Sequence, residues 1–191
     1  MLMKRTPRKE SGASLVEVGL LLPLLILLAI GLSEIGFLVV DYMTVTNAAR
    51  EGARTGAAAA NYDIGSTDAD DLILNAVEEA ACNLSFGSLD TVTVYRADAT
   101  GQIPVPPAGG VNEYVNNGSL LCGSSSHGLS AAGGCCPWAP STRDRVPPGL
   151  DVLGVEVVFT HESVTGIFPL PTVTWTENAV MQIEPDTRGT Q

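Results

Sequence analysis

The chain has 191 residues, is 45% hydrophobic and carries a formal net charge of -11. That length holds one membrane anchor and one modest domain. The acidity argues against nucleic acid as a partner, because neutralising phosphate requires Lys and Arg.

The charge is unevenly spread. Residues 1–12 form a basic leader, with Lys4, Arg5, Arg8 and Lys9 set against Glu10, whereas the remainder has six Arg, no Lys and 20 acidic residues. Next comes Gly12-Ala13-Ser14-Leu15-Val16-Glu17, and then an apolar run from Val18 to Val40 broken only by Ser33 and Glu34. A secretory signal places its cleavage site after the apolar core. Here the candidate cut, between Gly12 and Ala13, lies before it, so cleavage leaves the helix on the mature protein. Gly at the cut permits close backbone approach by a protease. The freed amine of Ala13 is then available to pair with Glu17 of a neighbouring subunit, a contact that specifies register more than it adds stability.

Val18 to Val40 spans about 34 Å as a helix, enough to cross a hydrocarbon core of about 30 Å. Basic residues flanking such a span stay in the cytoplasm, which predicts an inside N-terminus and an acidic domain outside. Glu34 falls in the outer half of the span. A carboxylate there is expected to meet a partner, to be protonated, or to reach up to the interface. Pro23 is a candidate kink. The helix is predicted to continue to Ala60, giving a rod over 13–60 of roughly 70 Å. Within it Ala48, Gly52, Gly56 and Ala60 form one row of small residues, and Ala49, Ala53 and Ala57 a second. Such rows permit close helix packing. Arg50 and Arg54 fall on a solvated or headgroup-facing side.

Residues 61–186 read as a small α+β domain, followed by a tail over 187–191. Asn61 to Thr67 reads as a turn. A helix is predicted from Asp68 to Asn83, capped by Ser66 or Thr67, with Leu72, Ile73, Ala76, Val77 and Ala80 on its apolar face. Asp68, Asp70 and Asp71 suit the positive helix end and lack the pattern of a calcium loop. Strands are predicted at Thr91–Ala97, Asp151–His161 and Pro171–Ile183, the last two forming an antiparallel hairpin. The expected fold packs the helix on one face of this antiparallel sheet.

Between the strands, 98–149 is rich in Gly, Pro, Ser and Asn and reads as one long loop, functional or disordered. Cys122, Cys135 and Cys136 fall there, and Cys82 ends the preceding helix. Outside the cytoplasm disulfides persist. A bridge between adjacent Cys135 and Cys136 is strained, so Cys82 is expected to pair with one of them and Cys122 with the other. A metal site built from these cysteines and His127 matches no standard zinc spacing. Ser124, Ser125 and Ser126 near His127 lack a nucleophile elbow, and no phosphate-binding Gly loop leads into a Lys. We therefore expect no enzyme activity, no cofactor, no metal and no small-molecule substrate.

Four segments together, Gly12-Ala13-Ser14-Leu15-Val16-Glu17, Leu22-Pro23-Leu24-Leu25, Glu34-Ile35-Gly36 and Thr46-Asn47-Ala48-Ala49-Arg50-Glu51-Gly52-Ala53-Arg54, resemble the TadE-like proteins, minor pseudopilins of the tight-adherence (Tad, or Flp) pilus system. The resemblance covers roughly residues 11 to 57. It implies a bacterial inner-membrane protein with an exoplasmic domain, processed by a prepilin peptidase, and working with other pilins and Tad assembly proteins in building an adhesive pilus. The alternative is an uncleaved, signal-anchored envelope module that binds a partner through the cysteine-rich loop.

Overall fold

The computed structural model describes residues 11–64, 67–104, 110–118, 120–124, 126–133, 136–166 and 172–185. Residues 1–10 of the basic leader, Ser66, Cys135 and the tail over 187–191 lie outside them.

One helix, α1 (Ser11–Ala59), dominates the chain and runs through Pro23. It is long and apolar enough to cross a membrane, and its most apolar stretch is not buried against the rest of the chain. A small hairpin, β1 (Asp63–Ile64) with β2 (Thr67–Asp68), stands where a plain turn was expected and leads into α2 (Ala69–Ala81). Asp68, not Ser66 or Thr67, is the N-cap of α2. Its carboxylate accepts the N–H groups of Asp70 and Asp71, while Asp71 reaches back to the N–H of Asp68. This reciprocal box satisfies donors that the first helical turn leaves orphaned.

The sheet has five antiparallel strands rather than three. They are β3 (Gly87–Arg96), β4 (Val111–Asn116), β5 (Leu129–Ala131), β6 (Val152–His161) and β7 (Val173–Gln182), in the order β5-β4-β3-β6-β7. The expected β6–β7 hairpin is present, in register from Val152 opposite Gln182 to His161 opposite Val173. The predicted loop over 98–149 instead supplies β4, β5 and a short 3-10 helix at Pro140–Thr142. Asn112 and Tyr114 of β4 are buried and hydrogen-bonded, so its apolar alternation is hidden by inward-facing polar groups.

Leu89, Val92 and Val94 of β3 and Leu153, Val155, Val157 and Phe159 of β6 are buried with the C-terminal half of α1 and with α2. The small residues of α1 make this possible. A Cβ at Gly52 would fall 2.5 Å from Val77 Cγ2 and 3.3 Å from Val155 Cγ1, and one at Gly56 would fall 2.8 Å from both Ile73 Cδ1 and Leu153 Cδ2. The small-residue rows therefore wedge α1 between α2 and β6 of its own chain. Arg54 stays exposed on the opposite side, loosely paired with Glu51 at 3.8 Å.

On the sheet face away from α1, Glu156 sits between Thr93 and Asn178 in register. Burial pushes its carboxyl above the usual value. Folding therefore favours the protonated acid, a contribution present below about pH 4.3 and lost as pH rises through the folded value. Glu156→Gln is expected to remove that loss. Thermal melts of the variant and the parent should diverge from about pH 4.3 upward, with the variant the more stable at neutral pH.

Candidate functional site

Two carboxylates interrupt the apolar face of α1, and both are buried by the chain itself. Glu34 is 2% exposed. It accepts the N–H of Val164 at 3.0 Å, the N–H of Thr165 at 2.7 Å and the Thr165 hydroxyl at 2.6 Å. The groups that meet Glu34 thus come from the loop joining β6 to β7. Two turns on, Asp41 is fully buried. It accepts the N–H groups of Ser85 at 2.9 Å and Phe86 at 3.4 Å, and lies 2.8 Å from His161 Nδ1. Glu34 pins the β6–β7 loop to the anchor helix, and Asp41 pins the α2–β3 loop and the end of β6.

Asp41 and His161 were not legible as a pair. The available signal is the seven-residue spacing of Glu34, Asp41 and Ala48, which places the acids in line with the small residues that pack on the domain.

The Gly12–Glu17 motif lies at the other end of the helix. Gly12 opens α1 with nothing within 4 Å of a Cβ built on it, and Glu17 is exposed. Leu15, Val16, Leu20 and Leu21 beside it are also exposed. Residues 12–54 match the family model of TadE-like proteins. No curated protein and no solved structure matches the chain. The matched segment contains the Gly12–Glu17 motif, the apolar span and both pinning carboxylates, and it ends inside the small-residue rows. Most of the domain that buries those carboxylates lies beyond it.

That domain is clasped by a second set of polar residues on α2. Asp70, 2% exposed, accepts Asn112 Nδ2 at 2.6 Å and the Tyr114 hydroxyl at 2.7 Å, and is ion-paired with Arg143. Burial beside Asp70 pushes the Tyr114 phenol far above its usual value. Glu78 accepts the N–H groups of Leu121 and Gly128, and Glu79 that of Gly123. His127, considered above as a base or a metal ligand, bridges the Leu129 carbonyl at 2.9 Å and the Asp71 carboxylate at 3.0 Å. These contacts direct the polar groups of the segment between β3 and β6 inward onto α2.

The disulfide pattern also differs from expectation. Cys82 is bonded to Cys122, rather than each being bonded to one of Cys135 and Cys136. The turn following α2 brings Cys82 beside the segment that Glu78 and Glu79 hold, so the pairing follows the acidic clasp. Cys136 is also disulfide-bonded, and Cys135 lies outside the described residues. The Cys82–Cys122 bridge closes a loop of sequence separation 40. Replacing both cysteines with Ser is expected to cost about 2–4 kcal/mol, mainly by freeing the unfolded chain. The check is a denaturant titration comparing this variant with the oxidised parent.

Proposed function

We propose that this chain is a minor pseudopilin-like subunit acting in the assembly of a Tad/Flp-type adhesive pilus. In this reading α1 crosses the bacterial inner membrane once, with the N-terminus inside and the C-terminal domain outside. A prepilin peptidase removes the leader after Gly12, and the amine of Ala13 together with Glu17 mediates contact with other pilins or Tad assembly proteins. The observation that carries the reading is the division of one continuous helix. Its N-terminal half is apolar and exposed and carries a Gly-x4-Glu motif in its first turns, while its C-terminal half is packed into a folded domain. A helix serving only as a signal has no need of the second half.

The deciding experiment is the intact mass and N-terminal sequence of the protein recovered from native membranes. A start at Ala13 is expected. Gly12→Leu is expected to abolish that start while leaving the fold intact, because the space around Gly12 is open. An uncut leader in cells with an active prepilin peptidase would overturn the reading.

A further inference from the structure

We infer that the end of the C-terminal domain nearest the span rests on the bilayer, with Phe86 and Val164 as its lipid-contacting side chains. The inference depends on α1 spanning a membrane, and it assigns a surface that the pilus reading leaves unused.

The height of that surface is fixed by Glu34. Its three hydrogen bonds hold Val164 and Thr165 against α1, so the β6–β7 loop cannot ride up the helix without stripping a buried carboxylate of its donors. Before Glu34, from Leu15 to Ser33, α1 is almost entirely uncovered by the domain. That stretch is about 28 Å of helix, close to the roughly 30 Å of a hydrocarbon core. The stretch uncovered on all sides is thus close to the thickness of the membrane, while beyond Glu34 the domain covers one side of α1 and Ile35, Val39, Val40 and Met43 stay exposed on the other. The β6–β7 loop sits where that cover begins, at the hydrocarbon edge.

At that height the domain turns apolar side chains outward. Val164 is 39% exposed and Phe86 36%. Phe86 packs edge-on against Phe37 of α1, with ring centroids 4.7 Å apart. Phe37 lies about 4.5 Å along the helix from Glu34, within a headgroup layer roughly 5–7 Å deep. Between Phe86 and Val164 is a recess of about 330 Å³, lined also by Gly87, Ser88, Glu162 and Ser163. Its lining supplies hydroxyls, backbone and one carboxylate, which suits the polar headgroup layer between two apolar contacts. Neither loop carries Lys or Arg, so attachment relies on apolar insertion and not on attraction to anionic lipid.

The test uses the full chain in palmitoyl-oleoyl phosphatidylcholine vesicles, with the photoreactive Phe86→benzoylphenylalanine variant and, separately, the same residue in place of Val164, Leu22 or Tyr62. Leu22 reports the span. Tyr62, exposed just past the far end of α1, reports the opposite end of the domain. After irradiation, a phospholipid adduct is expected at 86, 164 and 22 and none at 62. An adduct at 22, with only a cross-linked second copy or no adduct at 86 and 164, overturns the inference and leaves the anchor reading standing. No lipid adduct even at 22 overturns the anchor reading and the inference with it.

Discussion

Replacing Asp70 with Ala is expected to destabilise the domain by about 3–5 kcal/mol, the usual cost of removing one partner from a buried ion pair. Arg143 is 4% exposed and is held on three sides. Asp70 takes one guanidinium nitrogen, the Ala60 carbonyl takes another at 3.3 Å, and the Trp138 ring lies beneath at 4.5 Å. Without Asp70 the guanidinium has no counter-charge in a site it cannot leave without dismantling the Trp138 packing. The loss also propagates. Asn112 joins Asp70 to the backbone of Trp138 through Nδ2 at 2.9 Å and Oδ1 at 3.0 Å, and the Tyr114 hydroxyl loses its acceptor at 2.7 Å, leaving the longer contact to Cys136 Sγ at 3.4 Å. The Ala60 carbonyl lies just past the C-terminal end of α1, where a cation is favoured, so the cluster ties the end of the anchor helix to α2 and β4 together. For a chain of this size the change corresponds to a drop in Tm on the order of 10 °C. Adding Arg143→Met to Asp70→Ala should recover part of the loss, because the unpaired charge is then gone. Simple additivity of the two single variants would count against the cluster acting as a unit.

How far the sequence revealed this molecule follows the physics of each feature. The anchor helix, α2, the β6–β7 hairpin and the core of β3 were legible because apolar periodicity reports burial directly. Strands β4 and β5 were not, because they hold their places through polar contacts. Asn112 and Tyr114 read as loop residues when their partners Asp70 and Trp138 are 42 and 26 residues away for Asn112. The acidic run on α2 was correctly assigned to the helix start at Asp68 and Asp71. Asp70, between them, serves the buried cluster instead, and nothing local distinguishes it. Glu34 was singled out by its cost in an apolar run. Its partner could not be named, since the donors are two backbone N–H groups and one Thr hydroxyl about 130 residues away, which no local pattern connects to Glu34. The disulfide expectation failed for a related reason: avoiding the vicinal pair is a local argument, whereas the observed bridge follows the long-range docking of 121–128 on α2.

Asp41→Ala should uncouple the anchor helix from the domain at a cost of about 3 kcal/mol. The carboxylate is fully buried and serves Ser85 N–H, Phe86 N–H and His161 Nδ1 at once. Its removal orphans donors on two elements, each worth about 1–3 kcal/mol if left buried and unpaired. Loop movement and water entry recover part of that, which is why the net stays below the sum. The expected signature is local. Hydrogen exchange at Ser85 and Phe86 should speed up, and exchange in the β3–β6 ladder should change much less, because that ladder runs from Gly87 opposite His161 to Arg96 opposite Leu153 without using Asp41. Asp41→Asn should fall between the parent and Asp41→Ala, since one amide oxygen still accepts while the amide nitrogen faces donors it cannot satisfy. Glu34 remains in both variants, so the β6–β7 loop should keep its protection at Val164 and Thr165. If those two amides opened together with Ser85 and Phe86, the two carboxylates would form one cooperative hinge rather than two independent pins, and rigid projection of the domain from the helix would depend on both at once.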